Sequence, residues 1–240
     1  DMGSHNITLS TSFESISNCT FNGNNHTIAN YTLSNKQYAG LLPNAIRVTV
    51  KNLTLKNANI TAVNDGSNNA YAGGFIGRAY GTNVVENCTL ENSIVQGINK
   101  VGGIAGFQAE NGISIRKCTV KGSTIKVDTE NQEYGQCGGI LGYIGSVAAA
   151  NEVSGNFIIN TKVEAPANTN IGEEHRKSSI CVGTLQGVKG QSLVIDMPFS
   201  YIQSSTFNGK TIDKTEYMGL LGGIRYEETQ PSLTINGTRF

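Results

Sequence analysis

Short stretches that alternate apolar and polar residues recur along the chain. Such alternation, enriched in β-branched residues, is typical of strands that bury one face. In one of them the apolar phase slips by one residue between Val85 and Cys88, which predicts a bend at Glu86-Asn87 between two strands. A third strand is predicted shortly after each pair. The paired strands are predicted at 16–21, 50–55, 85–90 and 115–120, with a degenerate copy at 156–159, and the third strands at 59–61, 93–95, 124–127 and 162–163.

A second phrase, rich in glycine, lies between these stretches. A small or apolar residue is followed by Gly-Gly, two hydrophobic residues and, in the strongest copies, a further Gly. Its central glycines Gly74, Gly103 and Gly139 are 29 and 36 residues apart. A repeat of this length is the signature of stacked supersecondary units. The strong copies are 72–77, 101–106 and 137–142, and weaker copies are 38–42, 181–185, in which Gly183 is taken as equivalent to Gly139, and 217–222.

Three short strands and three corners in roughly 30 to 36 residues describe one coil of a parallel β-helix. Parallel crossovers are overwhelmingly right-handed. The sequence therefore predicts an all-β, right-handed parallel β-helix of about six coils. Residues 6–240 are expected to form this single domain, with an irregular loop insertion around 166–180, and residues 1–5 are interpreted as a vector remnant or N-terminal tail.

Stacking at ~4.8 Å predicts ladders of equivalent residues along the helix axis. Side-chain amides stacked in this way tie successive turns together. Two further outward ladders alternate in charge, which supports the register. The asparagine ladder is predicted at Asn18, Asn52, Asn87, Lys117 and Asn156, and the charged ladders at Lys51, Glu86 and Arg116 and at Lys56, Glu91 and Lys121.

The five cysteines are interpreted as buried packing residues, because they share positions with aliphatic and aromatic residues. A stacked pair of Cys88 and Cys118 stays an alternative. No CxxC spacing occurs, and no metal site or cofactor is predicted, with Ca²⁺ left as an alternative. Cys19, Cys88 and Cys118 are placed in the position of Leu53 and Phe157, and Cys137 and Cys181 in that of Ala72 and Val101.

Charge and composition narrow the function classes. Lys+Arg and Asp+Glu are 18 each, so nothing in the net charge favours binding to nucleic acid. No apolar run approaches the ~18 residues that span a bilayer. Several Asn-x-Ser/Thr sequons fall on the predicted asparagine ladder, where a glycan would disrupt stacking, so a bacterial origin is expected.

The irregular stretches 63–71, 128–136 and 166–179 occupy the same point in successive coils and are expected to cluster along one edge. Insertions in repeat proteins often form the working face. Tyrosines beside carboxylates suit sugar stacking or Ca²⁺ coordination, and a solvated loop bundle is the alternative. No catalytic residue is assigned. The predicted ligand-binding residues are Asp65, Tyr71, Asp128, Glu130, Tyr134, Glu173 and His175.

The phrases at 73–77, 102–106 and 138–142 resemble the GLUG-motif repeat of large bacterial surface proteins and some immunoglobulin A peptidases. The resemblance implies export, and often adhesion or cell-surface display. The expected function is a non-catalytic, secreted or surface β-helix module that binds a glycan or a host or bacterial surface protein, as part of a longer protein. A polysaccharide lyase or glycoside hydrolase, and a structural spacer in a larger adhesin, stay open as alternatives.

Overall fold

A computed structural model describes residues 7–9, 15–63, 66, 69–128, 135–145, 151–165, 178–186, 193–196, 201–207, 210–212, 221–225 and 233–236. These residues form short β-strands and contain no helix. No membrane-spanning helix is therefore found among them. The strands are β1 Ile7–Leu9, β2 Ile16–Ser17, β3 Thr20–Ala29, β4 Tyr31–Lys36, β5 Tyr38–Ala39, β6 Leu42–Ile46, β7 Thr49–Lys56, β8 Asn59–Val63, β9 Tyr71–Gly73, β10 Ile76–Tyr80, β11 Asn83–Glu91, β12 Ile94–Gly97, β13 Lys100–Gly102, β14 Ala105–Gln108, β15 Ile113–Arg116, β16 Thr119–Lys121, β17 Thr124–Val127, β18 Gln136–Gly138, β19 Leu141–Ile144, β20 Asn151–Ser154, β21 Phe157–Ile159, β22 Lys162–Glu164, β23 Val182–Gln186, β24 Leu193–Asp196, β25 Tyr201–Gln203, β26 Ser205–Phe207, β27 Lys210–Ile212, β28 Leu221–Arg225 and β29 Leu233–Asn236.

The strands stack into four sheets, and every pairing is parallel except that of β26 with β27. Sheet I has the order β1-β4-β8-β12-β17-β22-β26-β27, and sheet II has the order β2-β6-β10-β14-β19-β23-β28. Sheet III runs from β3 through β7 to the long strand β11, which pairs with both β15 and β16. From there one row continues through β15, β20 and β24 to β29, and the other through β16 and β21 to β25. Sheet IV has the order β5-β9-β13-β18.

The chain passes through sheets IV, II, III and I in turn, and each turn stacks on the previous one. From β5 to β22 this path can be followed through successive turns, whose levels we call rungs. The predicted all-β solenoid of stacked parallel strands is thus confirmed, while its right-handed sense and total of about six coils stay predictions. Sheet IV was not predicted. It arises because each glycine phrase is divided between two strands, such as β9 and β10.

Left-handed backbone positions produce the bends between strands. Asn52, Asn87, Lys117 and Gly155 share one bend within sheet III, with φ of 54°, 52°, 54° and 59°. Asn and Gly tolerate this conformation better than other residues, which explains their recurrence. A second column at the end of sheet III also has positive φ throughout: Asn30, Asn57, Asn92, Gly122, Asn160 and Ser204.

The core consists of columns of stacked apolar side chains. A column of buried serine hydroxyls lies beside the second bend. The hydroxyl of Ser93 accepts a hydrogen bond of 2.9 Å from the N–H of Ala58, and Ser123 accepts one of 3.1 Å from the N–H of Ser93. Ser205 does the same for Thr161. These buried hydroxyls satisfy backbone donors that leave the sheet at the turn.

Both predicted charge ladders are present. Glu91 lies between Lys56 and Lys121, with N–O distances of 3.2 Å to each. Arg116 contacts Glu86 at 3.2 Å in the rung before it. Lys51 is level with Glu86. The alternation of charge along the sequence was therefore a correct guide to register.

Two predicted positions between β2 and β3 are corrected by the structure. Residues 23–25 form a bulge in β3, so that Asn22 is level with Lys51 and His26 with Leu53. Asn18 therefore lies outside the asparagine ladder, at the end of β2, and accepts a hydrogen bond of 2.8 Å from Nε of Arg47. Cys19, predicted to be buried, is exposed.

Four more positions in later rungs are corrected. Phe157 pairs with Thr119 and is exposed, so Asn156 and not Phe157 lies level with Cys118. Asn156 consequently points into the core, where its Oδ1 accepts from the N–H of Cys118 at 2.9 Å. In the weak glycine copy at 181–185, Val182 pairs with Leu141. Gly183 is therefore equivalent to Gly142 and not to Gly139, and Cys181 lies at the level of Ile140.

Candidate functional site

The glycine phrases bring the backbone of sheet IV close against that of sheet II. A Cβ added to Gly106 in sheet II would lie 2.6 Å from the carbonyl oxygen of Ala72 in sheet IV. One added to Gly142 would lie 2.7 Å from the backbone nitrogen of Val101. These distances are shorter than any real Cβ contact, so only glycine permits this approach. We call this junction the glycine corner.

The residues that flank each phrase lie just beyond the glycines, where the two sheets separate. On sheet IV, Tyr38 pairs with Tyr71, and Lys100 occupies the next rung. On sheet II, Phe107 pairs with Arg78 on one side and with Tyr143 on the other. The side chains from the two sheets meet over the corner. The aromatic–cation cluster consists of Tyr38, Tyr71, Arg78, Lys100, Phe107 and Tyr143.

Aromatic rings from successive rungs contact one another in this cluster. The rings of Tyr38 and Tyr71 are stacked, with centroids 5.4 Å apart. Tyr71 meets Phe107 edge-on at 4.9 Å, and Phe107 meets Tyr143 at 5.5 Å. Such contacts stabilise beyond simple area burial and hold the rings in fixed orientations.

Two cations lie over these rings. The ammonium of Lys100 is 4.6 Å from the ring centroid of Tyr71, 5.0 Å from that of Phe107 and 4.9 Å from that of Tyr143. The guanidinium of Arg78 lies 5.3 Å from the Tyr38 centroid. Both arrangements have the geometry of cation–π attraction. The chain's own Lys100 thus occupies the centre of the cluster.

Burial differs among the members of the cluster. Tyr143 and Tyr71 are buried, whereas Tyr38, Arg78, Lys100 and Phe107 are half-buried. Burial, followed by the neighbouring Tyr38, raises the pKa of Tyr71 to about 12, and its hydroxyl donates to Oδ1 of Asn69 at 2.6 Å. The phenol therefore stays neutral at physiological pH.

Of the residues predicted to bind a ligand, Tyr71 is part of this cluster. Asp128 directly follows β17, and its N–H donates to the carbonyl of Gly97 at 2.6 Å. The residue as a whole is half-buried. In the described part of the chain no group of three or more His, Cys, Asp or Glu residues could hold a metal ion. Asp65, Glu130, Tyr134, Glu173 and His175 lie outside the described residues.

Sequence reasoning missed the other cluster members, although a signal for them exists. Four of them directly precede or follow a strong glycine phrase, and Tyr38 begins the weak copy at 38–42. The four are Arg78, Lys100, Phe107 and Tyr143. No strand is predicted within the phrase, so nothing in the sequence pattern places its two flanks together. The glycines let the strand before the turn and the strand after it pack against each other. The side chains that flank the phrase therefore lie together at the glycine corner.

The family model of the GLUG motif matches residues 68–95. This range contains the glycine phrase at 72–77, so the chain carries the GLUG motif that its repeats predicted. No curated protein matches the chain.

Among solved structures, the chain is similar to a crystal structure described as a "putative immunoglobulin A1 protease" from Bacteroides ovatus. The TM-score is 0.52 and the sequence identity is 17%. The similarity covers 93% of this chain and 67% of that chain. At this identity the likeness shows a shared fold and carries no statement about activity.

Proposed function

We propose that this chain is a non-catalytic, secreted or surface-displayed β-helix module that binds a glycan or protein partner at the aromatic–cation cluster. The GLUG motif supports the assignment to an exported scaffold. The observation that carries the binding role is the pairing of the half-buried Tyr38 ring with the half-buried Arg78 guanidinium, 5.3 Å from the ring centroid. An aromatic face offers contact to the C–H groups of a sugar or an apolar side chain, and the cation offers hydrogen-bond donors.

Rigidity favours binding at this place. The rings are held by contacts between rungs, and the backbone beneath them is fixed by the glycine corner. A preorganised surface loses little side-chain entropy when a partner docks. Weak individual contacts can therefore add up to useful affinity along a repetitive surface.

The test is a binding screen of the purified chain against arrays of polysaccharides, host glycans and matrix proteins. Tyr38→Ala should weaken binding about threefold to tenfold, as expected for loss of one aromatic contact. The matched control is Tyr201→Ala on sheet III, which removes another exposed ring, 43% accessible and 6.1 Å from Phe157. This control should leave affinity unchanged.

Three outcomes would contradict the proposal. If Tyr201→Ala and not Tyr38→Ala abolishes binding, the partner docks on sheet III. If acidic polysaccharides are cleaved, with or without added Ca²⁺, and Glu130→Gln with Glu173→Gln stops cleavage, the chain is a polysaccharide-degrading enzyme. If nothing is bound and nothing is cleaved, the module is a structural spacer.

A further inference from the structure

We infer that Asn44 and Arg78 form a hydroxyl-binding subsite, and that the partner of the aromatic–cation cluster is a saccharide that places a hydroxyl group between them. This inference rests on the proposed function and specifies its ligand. Asn44 lies in β6 and Arg78 in β10, and the two residues are paired in adjacent rungs of sheet II. Both side chains belong to the outward face of that sheet.

Each of these residues has a buried polar atom without a hydrogen-bond partner in the described structure. On Asn44 it is the acceptor Oδ1, and on Arg78 it is the donor Nε. The amide nitrogen of Asn44 donates to Oγ of Ser15 at 2.7 Å, and this bond holds the amide in place. Buried polar atoms without partners are uncommon, and here an unpaired acceptor and an unpaired donor belong to residues paired in adjacent strands, which indicates a place built for an incoming group.

The chemistry of the two atoms selects that group. Oδ1 of Asn44 requires a donor, and Nε of Arg78 requires an acceptor. A hydroxyl group supplies both from one oxygen atom. A carboxylate has no proton to donate to Asn44, and an ammonium group has no lone pair to accept from Arg78. The pair therefore favours a hydroxyl-bearing ligand over an anion.

Aromatic rings border this subsite. The Arg78 guanidinium lies 5.3 Å from the ring centroid of Tyr38 and 5.9 Å from that of Tyr80. A sugar ring presents hydroxyl groups at its edge and C–H groups on its face. One hydroxyl at Asn44 and Arg78 would bring the face of the same sugar toward Tyr38. This combination distinguishes a saccharide from a simple alcohol.

Arg116 provides a comparison for Arg78, because the surroundings of the two guanidinium groups differ. Its Nε also has no hydrogen-bond partner, but its terminal nitrogens contact Glu86 at 3.2 Å and Glu152 at 3.6 Å. Carboxylates therefore occupy its outer edge. None of the ion pairs in the described part of the chain involves Arg78. Arg116 is accordingly a matched internal control.

The experiment uses ¹⁵N-labelled protein and follows the arginine Nε–Hε resonances by NMR. The probes are D-glucose, D-galactose and D-mannose, with glycerol as a simple polyol and sodium acetate as an anion. The Arg78 signal, assigned by its loss in Arg78→Lys, should shift saturably with at least one hexose at millimolar concentration. The Arg116 signal should not move, and acetate should give no saturable shift.

Two variants test the paired atoms. Asn44→Ala removes the acceptor, and Arg78→Lys removes Nε while keeping the charge. Each should weaken hexose binding about tenfold, as expected for one lost hydrogen bond in a covered site. Arg116→Lys should bind as the wild type does. The backbone amide spectrum of each variant establishes that the fold is retained before its affinity is compared.

The possible failures are distinguishable from failure of the proposed function. A saturable shift with acetate but with no hexose would overturn the inference and identify an anion site. No shift with any probe, in a protein that still binds a partner in the screen through Tyr38, would overturn the inference alone. A hexose affinity unchanged in both Asn44→Ala and Arg78→Lys would place the sugar elsewhere on the cluster.

Discussion

The side-chain amide of Asn87 donates a hydrogen bond of 2.9 Å to Oδ1 of Asn52, which lies in the adjacent rung of sheet III. Asn52 in turn donates to Asn22 at 3.1 Å. Asn52 and Asn87 both have left-handed backbone conformations. The same residue type thus serves two purposes: it forms the bend, and it links the bend to the turn before it.

Replacing Asn87 separates these two contributions. Asn87→Ala loses the amide bond and places an ordinary side chain at φ 52°, so we expect a loss of about 1–2 kcal/mol in the free energy of unfolding. Asn87→Gly loses the bond but accepts the backbone conformation, so its loss should be smaller. Urea denaturation of the three proteins measures the difference. Equal losses in both variants would show that the bend carries no backbone strain.

The next rung offers a complementary change. Lys117 occupies the same bend at φ 54°, and its side chain is 73% exposed and only 3.9 Å from Glu86. Lys117→Asn should raise the free energy of unfolding by about 0.5–1 kcal/mol, because asparagine suits this conformation and extends the ladder. Lys162→Asn, at an exposed position in an ordinary strand, is the control and should give no gain. A decrease with Lys117→Asn would show that the contact with Glu86 outweighs the backbone preference.

The glycine corner should be intolerant of even one methyl group. A Cβ on Gly102 would overlap the carbonyl oxygen of Ala105 and lie 2.7 Å from the backbone nitrogen of Gly142. Because backbone atoms cannot move aside, Gly102→Ala should cost about 3 kcal/mol or more. Gly97→Ala is the control, since its nearest atom would be 3.1 Å away and φ there is not in the left-handed region. Thermal unfolding of both variants tests the contrast, and a similar melting temperature for the two would refute a closed corner.

Part of the register of the strands could be predicted from the sequence, and part could not. Alternating charge at Lys56, Glu91 and Lys121 predicted the register correctly, because outward residues of stacked strands meet in pairs. The predicted register was wrong at the start of the chain, where the bulge at residues 23–25 of β3 displaces Asn18 and Cys19 from their expected positions. Such a bulge leaves no mark in the alternation of apolar residues.

The aromatic–cation cluster was beyond pattern reasoning for a different reason. Tyr71 is a predicted ligand residue because it lies in an irregular stretch that brings tyrosines beside carboxylates, but its actual neighbours come from other rungs and another sheet. Their meeting depends on two strands folding back to back at Gly102 and Gly106. Spacing along the chain shows that glycines recur, but only the backbone geometry shows that they oppose one another.

The double ion pair of Glu91 predicts a dependence on pH. Its partial burial raises the carboxyl pKa, but hydrogen bonds from Lys121 and Lys56 outweigh this and hold the pKa below its ordinary value. A carboxylate with a lowered folded pKa stabilises the protein above its unfolded pKa of about 4.3, and this contribution is lost as the pH falls through the folded pKa. Glu91→Gln should therefore cost roughly 0.2–1 kcal/mol per ion pair at pH 7.

The cost of Glu91→Gln should shrink as the pH is lowered below about 4.3, and also in high salt. Glu164→Gln, at an exposed position at the end of β22, is the matched control and should show a smaller effect at every pH. Urea denaturation at several pH values provides the comparison. A cost that stays constant down to the acid limit would mean that packing, and not charge, accounts for the effect of Glu91.

The five thiols should divide by access to reagent. Cys19 is exposed, whereas Cys88, Cys118, Cys137 and Cys181 are buried. Burial also raises the pKa of Cys118 and Cys137, and that of Cys181 to about 12, which disfavours the reactive thiolate. A hydrogen bond with Cys118 lowers the pKa of Cys88, but the side chain of Cys88 is fully covered. Native protein should thus react quickly with Ellman's reagent at one thiol, and Cys19→Ser should abolish that phase. The remaining thiols should react only as the protein unfolds in urea, and fast labelling of Cys88 in the native state would show that sheet III opens near Asn87.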